Sequence, residues 1–124
     1  MVTVLVVEDE FGILELLDTI LTEEGYQVFT AMNGRDGLEM LSREQPDLIL
    51  SDYMMPIMDG ARMLAHIKEN PDLRSIPVAI MSSMPEETVA ERCSGHVAYL
   101  RKPFRLTEVL IFVEALIGRA DAAN

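Results

Sequence analysis

Glu8, Asp9, Asp52, Ser82 and Lys102 are the residues whose types and positions could do chemistry, because each stands at the end of a short apolar run. Val2–Val7 leads into Glu8 and Asp9, Leu48–Ser51 into Asp52, Val78–Met81 into Ser82, and Val97–Arg101 into Lys102. Apolar runs of this length read as strands buried on both faces, which belong to parallel sheets covered by helices. In open parallel sheets the carboxyl ends of the strands border the crevice where ligands bind. The five residues therefore fall on one edge of one sheet. Three carboxylates crowded there repel one another, and two at ~4.5 Å cost roughly 3–4 kcal/mol at an effective dielectric near ~20. Lys102 offers a single positive charge, so a divalent cation has to offset the rest. Carboxylates, a backbone carbonyl and retained waters suit Mg²⁺, with Mn²⁺ a possible substitute. No His or Cys converges there, which argues against zinc.

The elements that must position these residues alternate along the chain. Phe11–Glu24 has helical period, with Ile13, Leu16, Leu17, Ile20 and Leu21 on one face and Gly25 at its end. Gln27–Ala31 is a second strand, and Asn33 can cap a helix over Gly34–Ser42. Asp59 can cap a third helix carrying Met63, Leu64 and Ile67, closing before Pro71. Pro85 opens a short, weakly periodic helix through Cys93, stopped by Gly95. Thr107–Ile117 is the last helix, with Val109, Phe112, Val113 and Leu116 facing inward. Strict alternation of this kind predicts a doubly wound α/β fold with a five-stranded parallel sheet.

Composition bounds the function. At 124 residues the chain is expected to be one domain over residues 1–120 with a short tail at 121–124 and no output domain. A net charge of −11 argues against direct nucleic-acid binding, which needs a basic face. The longest apolar runs fall short of a membrane span, and Glu8-Asp9-Glu10 so near the start is unlike a secretory leader. Cys93 is the only cysteine, so an intrachain disulfide is impossible and a reducing, cytoplasmic setting is expected.

Taken together, Val6-Val7-Glu8-Asp9, Asp52 with Met55-Pro56 and Asp59-Gly60, Pro77–Ser82, and Gly95, Tyr99 and Lys102-Pro103-Phe104 resemble the receiver domain of two-component response regulators over essentially the whole chain. The resemblance implies a flavodoxin-like (βα)5 fold with strand order 2-1-3-4-5. It also implies transient phosphorylation of Asp52 by a histidine kinase or a histidine phosphotransfer protein, as in a phosphorelay. On that reading Asp9, Asp52 and the Met54 backbone carbonyl hold Mg²⁺, and Glu8 reaches it through water. Lys102 pairs with a phosphoryl oxygen, Ser82 is the switch hydroxyl, Tyr99 follows it, and Lys102–Pro103 is a candidate cis bond. The chemistry is consistent with this, since carboxylates form acyl phosphates and phosphoryl transfer needs positioning and charge neutralisation above all.

Other readings compete at each point. A lone Asp at a strand end is often a helix cap, Ser82 and Ser83 could be turn formers, and Ser83 rivals Ser82 as the switch. Tyr99 could be edge packing, the nine Met core filler, and His66 and His96 surface residues. An aspartyl-phosphate phosphatase would want a second Asp two residues after the nucleophile, where Met54 stands. A flavodoxin-like electron carrier would want a phosphate loop where Glu8-Asp9-Glu10 stands. An interaction module working without phosphorylation is the remaining alternative. The expectation is a signalling protein that catalyses only its own phosphorylation and slow dephosphorylation. Met54 and Met84 are expected to shield the acyl phosphate from water. Ile111 and Leu110 on the last helix offer a face to an unknown effector or a second copy, and Phe11 and Leu14 on the outer side of the first helix offer one to a kinase.

Overall fold

The computed structural model describes the backbone of residues 1–123 and the side chains of residues 1–118. Five strands alternate with five helices: β1 Thr3–Val7, α1 Phe11–Glu23, β2 Gln27–Ala31, α2 Gly34–Leu41, β3 Leu48–Asp52, α3 Gly60–Glu69, β4 Val78–Ser82, α4 Glu86–Arg92, β5 Ala98–Arg101 and α5 Leu106–Ala123. All neighbouring strands are parallel and lie in the order β2-β1-β3-β4-β5, the expected doubly wound arrangement.

Side-chain alternation along the strands explains the two cores. Val4, Val6, Leu48, Leu50, Ala79 and Met81 point to one face, where α1 and α5 cover them. Leu5, Val7, Ile49, Val78 and Ile80 point to the other, under α2, α3 and α4. β3 and β4 are buried along their whole length, which is why their sequences are continuous apolar runs and not alternating ones.

The helix ends follow from local chemistry. The Asn33 side chain accepts from the Asp36 N–H at 2.9 Å, and the Asp59 side chain from the Arg62 N–H at 2.8 Å. Each satisfies a donor that the first helical turn leaves without a partner. α4 is short, and Gly95 after it adopts φ +93°, a conformation that a Cβ disfavours. α5 continues past Ile117 to Ala123, into the segment expected to be a tail, while residue 124 lies outside the described residues.

The first helix corrects the reading of its faces. Leu14, Leu17 and Leu21 form its buried stripe, with Leu14 only 6% exposed, while Leu16 is 43% exposed. Leu14 is thus a core residue and not part of an outer contact face. The apolar residues of α1 span a wider arc than the sheet can cover, and the packing against β1 and α5 selects the Leu14 side of it. Phe11 and Ile111 are exposed as expected, Ile111 at 69%.

The loop after β3 is folded tightly onto its surroundings. A Cβ at Gly60 would run into the Asp52 carbonyl oxygen and lie 3.2 Å from the Tyr53 Cα. The Gly60 N–H donates to the Tyr53 carbonyl at 2.8 Å, and the Gly34 N–H donates to the Met58 carbonyl at 2.9 Å. Between these anchors, the Met58 N–H donates to the Pro56 carbonyl at 2.7 Å across Ile57, whose φ is +71°. A β-branched residue in the left-handed region is strained, and a three-residue turn of this hand is rare. Ile57 is 60% exposed, so its side chain gains little from burial in return. Ile57→Gly is therefore expected to raise the unfolding free energy by about 1 kcal/mol, checked by urea denaturation. A loss of stability would show that the side chain holds the turn.

Candidate functional site

Strand register brings the chemistry to one place. Val7 pairs with Ser51, and Ser51 with Ile80, so Glu8 and Asp52 come one step later on neighbouring strands. The same alternation that sends Val6, Leu50 and Leu100 toward the α1/α5 face sends Glu8, Asp52 and Lys102 to that side. The Lys102 Nζ lies 2.5 Å from Glu8 Oε1 and 3.3 Å from Asp52 Oδ2. Glu8 is fully buried and Asp52 is 7% exposed. The second Asp52 oxygen accepts from the Tyr53 N–H at 2.9 Å, which fixes the carboxylate against its own strand end.

Ser82 and Tyr99 emerge on the opposite side, in register with the α2/α3/α4 face. The Ser82 Oγ accepts from the Met84 N–H at 3.0 Å, which leaves its O–H free to donate. The Tyr99 hydroxyl lies against the carbonyls of Ser82, at 3.1 Å, and Met84. Asp9, Glu10, Asp52, Met54, Ser82, Ser83 and Lys102 line a cavity of about 250 Å³. Met54 is at its mouth, 65% exposed, whereas Met84 packs half-buried against the core and does not line it. Of the two methionines expected to shield the cavity, only Met54 lines it.

The donor set fits a hard divalent cation. Carboxylate oxygens of Glu8, Asp9 and Asp52 lie within 4.8 Å of one another, and no His or Cys is among them. His66 is exposed, and His96 is half-buried at the far, amino end of β5.

The sequence profile of the response regulator receiver domain matches residues 4–114. The chain belongs to the response regulator receiver family. It is 35% identical to sporulation initiation phosphotransferase F of Bacillus subtilis over 108 residues, covering 86% of each chain. A signal receiver domain of a Syntrophus aciditrophicus histidine kinase has 35% identity and a TM-score of 0.87, covering 95% of this chain and 91% of that one. The receiver domain of a Pseudomonas aeruginosa sensor histidine kinase, with magnesium coordinated in its active-site cleft, has 26% identity and a TM-score of 0.86 over 94% of this chain and 97% of that one. Against the response regulator MprA of Mycolicibacterium vanbaalenii the identity is 34% over 122 residues, but the chain spans only 51% of that protein's length. Receivers are phosphorylation-based signalling modules that bind Mg²⁺ at an acidic pocket and work with histidine kinases or phosphotransfer proteins.

In this receiver several contacts were not visible in the sequence. The Glu8–Lys102 pair joins residues from opposite ends of the chain. The Arg101 Nε donates to the Ser83 carbonyl at 3.0 Å, tying β5 to the loop after β4. Glu10 also lines the cavity. None of these has a sequence signal of its own, because each depends on elements that meet only in the folded chain. The Lys102–Pro103 peptide bond, the candidate cis bond of the sequence, is cis.

The charges in the cavity are poorly matched without a metal. Burial, and after it the charge of Glu8, pushes Asp52 up to about 7 against the lowering pull of Lys102. For Lys102, burial acts to lower the value, but the hydrogen bond to Glu8 and the attraction of Asp52 outweigh it and hold the ammonium above its ordinary range. A carboxyl raised on folding contributes stability that is fully present below its unfolded value and lost as pH rises through its folded value. For Asp52 that window runs from ~4 to about 7. Asp52→Asn cannot ionise, so with a chelator present it is expected to melt above the wild type at pH 8, with the gap closing as pH falls towards ~4. Thermal denaturation across that range measures it, and equal melting at pH 8 would remove the charge strain from the account.

Proposed function

We propose that this receiver takes a phosphoryl group onto Asp52 from a histidine kinase or histidine phosphotransfer protein and signals by contact with another protein. The observation that carries this reading is the Asp52 carboxylate at a cavity wall with Lys102 at 3.3 Å and two further carboxylates beside it. A carboxylate oxygen of Asp52 would attack phosphorus, and the bond from phosphorus to the donor's imidazole nitrogen would break. The imidazole leaves with the bonding electrons, and the acyl phosphate remains.

The other residues act on the charge and on the shape. Asp9, Asp52 and the Met54 backbone carbonyl would hold Mg²⁺, with Glu8 acting through water, and the bound ion would supply positive charge to offset the negative charge of the phosphoryl oxygens. Lys102, already within reach of Asp52, would move its ion pair to a phosphoryl oxygen. Ser82 would donate its free O–H to another oxygen, drawing the loop after β4 inwards. Tyr99 leans on the carbonyls of that loop at Ser82 and Met84, so a shift there is passed to its ring. That is a two-state element biased by new contacts to phosphate.

The phosphatase alternative fares worse, because Met54 at the cavity mouth has no carboxylate with which to activate water. Incubation with a small phosphodonor is expected to label the protein only when Mg²⁺ is present, and to leave Asp52→Ala unlabelled. Intact mass or acid-labile phosphate reads the result. Persistent labelling of Asp52→Ala would overturn the assignment, and no labelling of the wild type by either a small donor or a phosphorylated phosphotransfer protein would favour an interaction module that works without phosphate.

A further inference from the structure

Five of the nine methionines, Met32, Met54, Met55, Met58 and Met84, sit in the loops at the carboxyl edge of the sheet. Their surroundings differ sharply. Met54 is both 65% exposed and part of the wall that it shares with Asp52, Ser82 and Lys102. Met55, Met58 and Met84 are half-buried against the core, and Met63 and Met81 are fully enclosed. Met1 and Met32 are exposed but lie away from that cavity. Exposed thioethers are the ones that oxidants reach, and conversion to the sulfoxide turns an apolar tip into a polar one. At Met54 this change would happen where an acyl phosphate meets water.

We propose that Met54 is an oxidation site through which a hydroperoxide shortens the lifetime of the phosphoryl group on Asp52. In the step itself the peroxide O–O bond breaks and one oxygen passes to the thioether sulfur. With hydrogen peroxide the products are the sulfoxide and one water, the sulfur being oxidised by two electrons and the peroxide reduced by two. Methionine sulfoxide reductase reverses the change. The thioether is only a weak hydrogen-bond acceptor. The sulfoxide oxygen is a good acceptor that can hold a water beside the phosphorus it must attack. The Met54 main chain is held near Asp52 because Tyr53 is buried and Gly60 closes the loop behind it, so the side chain carrying the new oxygen is anchored beside the cavity. The inference rests on Asp52 being the phosphoacceptor.

The test uses the full chain with a small phosphodonor and Mg²⁺, before and after mild hydrogen peroxide, with M54L treated in parallel. Peptide mass spectrometry is expected to show one added oxygen at Met54 well before any at Met63 or Met81. The decay of the label is expected to quicken about threefold or more on oxidation. The M54L protein, which keeps an apolar side chain and the same backbone carbonyl, is expected to decay at one rate with or without peroxide. Sulfoxide reductase is expected to restore the slower decay of the wild type. An unchanged decay with Met54 fully oxidised, or an equal quickening in M54L, would overturn the oxidation switch alone. Absence of label in untreated protein would overturn the phosphoacceptor reading and this inference together.

Discussion

The structure depends on one unbalanced charge cluster, three carboxylates brought to a single ammonium group. Glu8 is fully buried and takes Lys102 at 2.5 Å, leaving the weaker contact at 3.3 Å to Asp52. A buried carboxylate is tolerated only with a partner, so Glu8 keeps hold of the lysine, and Asp52 is left incompletely compensated. On the proposed function, that shortage of positive charge is what would draw a cation, and a phosphoryl group on Asp52 would give Lys102 and Ser82 something new to bind. A better balanced cluster would stabilise the fold and have less to gain from phosphate.

The rest of the fold serves to keep this cluster in place. Parallel register puts Glu8 and Asp52 side by side, and alternation sends Lys102 to their face while Ser82 and Tyr99 leave by the other. The loop after β3 is held by Gly34 and Gly60 and takes a strained turn at Ile57, which fixes where Met54 comes out. The loop after β4 is held by Arg101, Tyr99 and its own serine turn. The first loop is thus closed by backbone contacts, and the second chiefly by side-chain contacts.

Much of this was legible in the sequence, because the signals were local or strongly periodic. The buried runs of β3 and β4, the caps Asn33 and Asp59, and the short α4 all follow from residue type and spacing. Leu14 was misplaced because α1 carries apolar residues over a wider arc than it buries, and only tertiary packing chooses among them. The Glu8–Lys102 pair joins residues 94 apart in the chain, so no local pattern announces it. Ile57 escaped because a β-branched residue is the opposite of a turn signal. Met54 and Met84 looked equivalent in sequence, yet one faces the cavity and the other the core.

The central claim is that Asp52 lacks positive charge until a divalent cation arrives. Its most direct test is the carboxyl ¹³C resonance of Asp52 followed through a pH titration, with and without Mg²⁺. A midpoint of about 7 is expected in metal-free protein, with a marked fall on adding Mg²⁺. An ordinary aspartate midpoint near ~4 that Mg²⁺ leaves unmoved would contradict it.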